Sequence, residues 1–222
     1  MRKLAAVLGL LVTVSLASAA PIATTDFLGV NKVGPNQMLD LTTHGGSTVD
    51  AGVASAAWTS GPDLTAVGTP GSNSFWATGW SNNPGDYFKL SVTLAADYSA
   101  MIEQLRFGAN ASGTGPRNGL VTIWVNGTLE YNHAYTHPGT SSNWQNIDLT
   151  GLTVAAPAGA TIEVLFTPTG ASNQSQGTYR VGSYYTGSTY LPTGILGTTT
   201  YIPEPASLVL VALGALAGLR RR

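Results

Sequence analysis

From Tyr87 to Leu94 apolar and polar residues alternate without a break: Phe88, Leu90, Val92 and Leu94 take one parity, and Lys89, Ser91 and Thr93 the other. Period two is the signature of a strand with one buried face, because successive side chains leave the pleat on opposite sides. Leu105 and Phe107 repeat it around Arg106, and similar runs lie at 120–125, 129–135, 146–149, 161–167 and 179–184, with earlier ones at 38–42, 53–59 and 74–79. Gly, Pro, Asn and Ser separate the runs, and no apolar stripe of helical period outlasts a turn or two. A chain patterned in this way is predicted to be all-β, a single β-sandwich or jelly roll. It contains no cysteine, which removes disulfides, thiolate zinc sites and thiol nucleophiles. A body of about 180 residues can bury a core without such staples.

The strongest local signal is Val125-Asn126-Gly127-Thr128, since Asn-Gly suits the two positive φ angles of a type I′ hairpin. Simple pairing then sets Trp124 opposite Leu129, Thr122 opposite Tyr131 and Leu120 opposite His133. The strands then disagree about the core. One face carries Leu120, Trp124, Leu129, Tyr131, His133 and Tyr135, and the other carries Val121, Ile123 and Val125 against Thr128, Glu130 and Asn132. Two resolutions stand: the aliphatic trio lies inside and the aromatics form an outer platform, or the aromatics are core and a bulge or cover settles the conflict. Burial of most of the aromatics is the expectation.

Between Ala20 and Ile202 there are five basic and ten acidic residues, a net charge of −5, and no cluster of Lys or Arg. Nucleic acid is therefore not an expected partner. At the N-terminus Arg2-Lys3 precede an apolar run from Leu4 to Leu16, then Ala17-Ser18-Ala19, the small-x-small pattern that a signal peptidase reads. Ala17 and Ala19 mark the cleavage site, and the mature chain is expected to begin at Ala20. At the other end Pro203-Glu204-Pro205 is followed by an uncharged run, Ala206 to Leu219, and then Arg220-Arg221-Arg222. As a helix that run reaches about 21 Å, short of a hydrocarbon core of about 30 Å, so it is a marginal span whose arginines hold the C-terminus on the cytoplasmic side.

This tail resembles a PEP-CTERM sorting signal. The resemblance implies a bacterium of Gram-negative type in which an exosortase recognises Pro203, Glu204 and Pro205, with Arg220, Arg221 and Arg222 completing the signal. It also implies that the body passes through the inner membrane as a transient intermediate and on to the cell surface or the extracellular matrix. The Sec translocon and signal peptidase are the expected partners at the start. The stretch from Asp86-Tyr87-Phe88-Lys89-Leu90 through Leu105-Arg106-Phe107 to Gly113-Thr114-Gly115-Pro116 resembles jelly-roll modules found upstream of such tails. The expected organisation is a signal peptide over 1–19, a β-sandwich over 20–185, a Gly/Thr-rich linker over 186–202 and the sorting signal over 203–222, with a transmembrane segment at 206–219. Leu191-Pro192-Thr193-Gly194 falls within that linker.

Support for sugar binding is aromatic. Trp76 and Trp80 share a parity, Trp80 opens the polar turn Ser81-Asn82-Asn83-Pro84-Gly85-Asp86, and Trp124 and Tyr131 belong to the hairpin's aromatic face. An indole face stacks on the C–H groups of a sugar ring while neighbouring amides and carboxylates meet its hydroxyls. The competing reading is a core Trp and an edge Trp. His133 and His137 fall about 13 Å apart on one strand and no third ligand accompanies them, so no metal centre is expected. Calcium on backbone carbonyls and a carboxylate such as Asp40, Asp50 or Asp86 has no sequence signature, and no cofactor is expected. No nucleophile elbow is present, and catalytic residues are not expected, although Glu103, Glu130, Asp148 and Glu163 could supply the two carboxylates of a glycosidase. The expected function is a non-catalytic structural or carbohydrate-binding surface protein whose partner is an extracellular polysaccharide. The rivals are a membrane-retained, tail-anchored protein and a glycoside-active enzyme.

Overall fold

Alternating β-branched and aromatic residues form strands along the whole body. The computed structural model describes residues 19–65, 74–137, 144–185 and 189–203, so nearly all of the leader, Glu204 and Pro205, the apolar segment 206–219 and the terminal arginines lie outside the described residues. In chain order the strands are β1 (Ala20–Thr25), β2 (Asn31–Val33), β3 (Met38–Asp40), β4 (Ser47–Val49), β5 (Val53–Ser60) and β6 (Ser74–Ala77). There follow β7 (Phe88–Leu94), β8 (Tyr98–Ala111), β9 (Asn118–Val125), β10 (Thr128–Thr136) and β11 (Gln145–Ala156). The last are β12 (Thr161–Thr169), β13 (Tyr179–Gly182), β14 (Tyr184–Tyr185), β15 (Tyr190–Leu191) and β16 (Thr193–Tyr201). Among the described residues no helix is long and apolar enough to cross a membrane.

Sheet A is eight-stranded, in the order β2-β6-β13-β8-β16-β1-β4 with β11 along the other edge of β8; sheet B is six-stranded, β10-β9-β12-β7-β5-β3. The two sheets close on one hydrophobic core, to which sheet A sends Ile22, Phe75, Leu105, Phe107, Val181 and Ile195 and sheet B sends Trp58, Leu90, Val92, Val121, Ile123, Val164 and Phe166. Phe107 and Phe166 meet edge to face across the gap at 4.8 Å between ring centroids. Such contacts add about 0.5–1.5 kcal/mol to simple burial. The chain is thus the all-β sandwich that its period-two pattern predicts.

The Asn126-Gly127 turn has φ of 50° and 79°, the two positive values a type I′ hairpin requires. Trp124 faces Leu129 as expected, but the register then slips, so that Tyr131 pairs with Ile123 and His133 with Val121. The expected pairs Thr122–Tyr131 and Leu120–His133 do not form. One extra residue moves Tyr131, His133 and Tyr135 onto the side of the aliphatic trio, which reconciles two strands that disagreed in sequence.

The linker expected over 186–202 is corrected as well. Residues 193–201 form β16, an inner strand hydrogen-bonded to β1 on one side and β8 on the other. Its glycines serve close backbone approach. A Cβ on Gly194 would stand 2.1 Å from the Ala23 carbonyl oxygen, and one on Gly197 would stand 1.9 Å from that of Met101. The sandwich therefore ends at Tyr201, two residues before Pro203, instead of at 185.

Candidate functional site

The outer face of sheet B is built by alternation, since every second residue of β9, β12, β7 and β5 turns away from the core. Cross-strand register aligns Trp124 with Glu163, Glu163 with Ser91 and Ser91 with Ala57. The next row runs Thr122, Leu165, Lys89, Thr59. Trp124 is half-buried, and its Nε1–H donates to Thr122 Oγ1 at 2.9 Å, two residues back on the same strand. That bond ties the indole to the next outward-facing position of its own strand. Beside it Lys89 Nζ meets Glu163 Oε1 at 2.7 Å, with side chains 26% and 33% exposed. Leu129, paired with Trp124 across the hairpin, and Leu120, at the same parity of β9, are 43% and 38% exposed. An indole beside a partly exposed ion pair and the outward hydroxyls of Thr122 and Ser91 can stack on a sugar and hydrogen-bond its hydroxyls.

The four aromatics singled out in the sequence do not come together. Trp80 is 0% exposed and donates its Nε1–H to the Ala77 carbonyl at 2.8 Å. It leaves the parity of Trp76 because β6 stops at Ala77 and Gly79, at φ 90°, turns the chain inward. Trp76 is 2% exposed and lies on the outer side of sheet A, outside the main core. Neither offers a face to a ligand, so the stacking platform expected of this pair is not formed. Tyr131 packs against the core from the edge strand β10. Trp124 alone of the four lies on an open sheet face. Lys89 carries no site signal in the sequence, and Glu163 reads there only as one of four possible glycosidase carboxylates, because their adjacency depends on β12 pairing with β7, which a linear reading does not reveal.

A second concentration of polar groups sits at one end of the sandwich. The hydroxyls of Tyr135 and Tyr179 bond to each other inside the core, and the His137 ring packs on both, at 5.8 and 5.5 Å. Burial holds both phenols well above their ordinary range. Burial, and then the nearby Arg117 guanidinium, pull His137 down to about 4. All three are neutral at physiological pH, and none is poised near neutrality for proton transfer. His133 is half-buried within β10 and His137 is buried just past its end. Among the described residues no three of His, Cys, Asp and Glu gather into a metal-binding group.

Asp40, Asp50, Asp86 and Asp148 close turns or accept from neighbouring groups. Hydrogen bonds from the Thr42 hydroxyl and backbone hold Asp40 below its ordinary value. Asp50 accepts from the Gly52 backbone and Thr199 Oγ1, and Asp86 from the Ser81 backbone and hydroxyl and the Asn83 backbone. Asp148 accepts from Gln104 Nε2. Glu103 and Asp148 stand on sheet A, Glu130 and Glu163 on sheet B.

Fold and surface define a β-sandwich with one aromatic-bearing open sheet face. Residues 202–222 match the PEP-CTERM protein-sorting motif, which marks an extracellular protein sorted by an exosortase. No curated protein matches the chain. Among solved structures it is similar to the carbohydrate-binding module CBM36 in complex with calcium and xylotriose, at 13% identity and TM-score 0.34, covering 66% of this chain and 95% of that one. It is similar to CBM35 from Paenibacillus barcinonensis at 20% identity and TM-score 0.33, over 66% and 98% of the two chains. An apo-form cyclase from Fischerella sp. has 9% identity and TM-score 0.38 over 84% and 98%. Likenesses at this level carry no functional argument.

Proposed function

We propose that this chain is a non-catalytic carbohydrate-binding protein of the bacterial surface or extracellular matrix. The Sec translocon exports it and signal peptidase trims it after Ala19. The exosortase acts at Pro203-Glu204-Pro205 while the apolar segment 206–219 holds the chain transiently in the inner membrane. The sandwich then engages extracellular polysaccharide through the outer face of sheet B.

One observation carries the reading: Trp124 stands on the outer face of sheet B, its indole N–H tied to Thr122, next to the Lys89–Glu163 pair. A tryptophan serving the fold alone would be turned inward, as Trp58 and Trp80 are. A binding role without turnover is favoured because Glu163 is engaged by Lys89 and the buried Tyr135, Tyr179 and His137 stay neutral.

Affinity electrophoresis of the body against the host's own extracellular polysaccharide, with and without calcium, tests it. Retardation is expected, and Trp124→Ala should remove it while the urea midpoint stays within about 1 kcal/mol of the parent, because the indole lies on the outer face of sheet B and is not part of the core. Retardation that survives Trp124→Ala, or none under either condition, would overturn the reading.

A further inference from the structure

The chain leaves the fold at one end of the sandwich, and four turns, 50–52, 95–97, 126–127 and 157–160, surround the exit. The Ile202 N–H donates to the Asp97 carbonyl at 2.7 Å, Gly159 donates to the Ala95 carbonyl, and Ala95 donates in turn to the carbonyl of Gly52. Asn126 donates to Thr161 at the start of β12, which brings the hairpin turn to the same end. Tyr201 pairs with Tyr98 across the β16–β8 ladder, and their rings meet at 5.4 Å. Tyr201 and Ile202 are 52% and 46% exposed, and Ala51, Ala96, Pro157 and Ala158 are exposed around them. The four turns hold no Lys or Arg. Their two carboxylates, Asp50 and Asp97, are half-buried, and Asp50 accepts from the Gly52 backbone and Thr199 Oγ1.

The sequence limits how far this end can stand from a membrane. The sorting motif begins at residue 202, so the last residue bonded to the fold here is the first of the motif. Ala206, where the apolar run begins, is four residues on, and such a stretch reaches at most about 14 Å when fully extended. The headgroup layer is about 5–8 Å deep, and the run falls about 9 Å short of the hydrocarbon thickness, a mismatch that draws its flanks inward. With the tail inserted, the four turns come down to the lipid surface whatever path Pro203-Glu204-Pro205 takes. Their chemistry suits that layer: Ala, Pro and Ile give up water at little cost, and a tyrosine sets its ring in the interface with its hydroxyl in water. Without Lys or Arg, this end has no pull toward anionic lipid.

We propose that this end of the sandwich, presenting Tyr201, Ile202, Ala96 and Ala158, is a seating surface that rests on the zwitterionic lipid interface while the tail is inserted. The seat rests on the membrane-held stage of the proposed function, and on neither Trp124 nor a glycan. The exosortase must then read Pro203-Glu204-Pro205 in the narrow gap between the fold and the hydrocarbon.

The chain has no cysteine, so Ala158→Cys and Gly113→Cys each take a single bimane label. Gly113 lies past the far end of β8, about 45 Å along that strand from Tyr98, and a Cβ there meets nothing within 4 Å. The full chain, trimmed after Ala19, is inserted into phosphatidylcholine vesicles whose headgroups carry a nitroxide quencher. It should float with the vesicles, and bimane at Ala158 should be quenched at least about threefold more than at Gly113. Adding Ala51→Glu and Ala96→Glu should cut that quenching at least about twofold, because carboxylates resist leaving water. Unchanged tryptophan emission shows that the variant is folded. Mixing in phosphatidylglycerol should not deepen the quenching. A chain that does not float would refute the membrane-held stage and the seat with it. Flotation with equal quenching at both labels would overturn the seat alone and make a protein, such as the exosortase, the neighbour of this end. Quenching that survives the two glutamates, or deepens with phosphatidylglycerol, would overturn the role given to the surface.

Discussion

Gly197→Ala separates a flexible linker from an inner strand by the sign of its effect. In a linker, alanine restricts the unfolded chain and raises stability by about 0.4–1 kcal/mol. In β16 the new Cβ would lie 1.9 Å from the Met101 carbonyl oxygen, 3.0 Å from its carbon and 3.1 Å from the Glu103 nitrogen. All three are backbone atoms of β8, which is held on its far edge by β11, so no side chain can swing aside. Overpacking of this kind costs about 1–3 kcal/mol, and stretching one or two ladder bonds adds about 1 kcal/mol each. The expected loss is about 2–4 kcal/mol, which lowers Tm by about 5–15 °C in a domain of this size. Urea unfolding followed by tryptophan fluorescence reads it, with an unchanged slope showing that the same surface is exposed. Gly45→Ala, where a Cβ meets nothing within 4 Å, is the control and should stay within about 0.5 kcal/mol. A Gly197→Ala variant as stable as the parent, or more so, would refute the assignment of β16 to the interior.

Two further outcomes follow. His137 titrates near 4 in the fold and near 6.5 when unfolded, so the unfolded chain binds the extra proton between those values. Stability present above pH 6.5 should fall as pH drops toward 4 and level off below; His137→Gln should flatten that window, and an unaltered profile would contradict the burial argument. Because β16 is an inner strand ending at Tyr201, exosortase processing should leave a mature C-terminus downstream of Tyr201, read by intact mass of the surface-released protein. A cut before Thr193 in a folded product would contradict the strand's role, and a product keeping the whole tail would favour the tail-anchored alternative.

Much of the fold was legible in sequence because Phe88-Lys89-Leu90-Ser91-Val92-Thr93-Leu94 and its counterparts carry the strand period openly, and Asn126-Gly127 fixes a turn by local stereochemistry alone. What escaped depended on long-range context. The slip after Leu129 was visible only as a conflict between Val121-Ile123-Val125 and Tyr131-His133-Tyr135, since no local residue type announces a bulge between bulky side chains. Gly194 and Gly197 look like linker residues until β1 and β8 are found pressed against them. Trp76 and Trp80 share a parity that Gly79 breaks with a positive φ, a choice glycine permits but does not declare. The face at Trp124 needed the order β9-β12-β7, which no linear spacing encodes.

The five tryptophans report separately on glycan binding, because each gives its own indole N–H resonance. The neutral oligosaccharides of the host matrix polysaccharide should be titrated into the labelled body while all five signals are followed. A saturable shift confined to Trp124 is expected, with Trp58, Trp76, Trp80 and Trp144 unmoved. A shift centred on another indole, or none at concentrations that retard the protein in the gel, would contradict glycan binding on the outer face of sheet B.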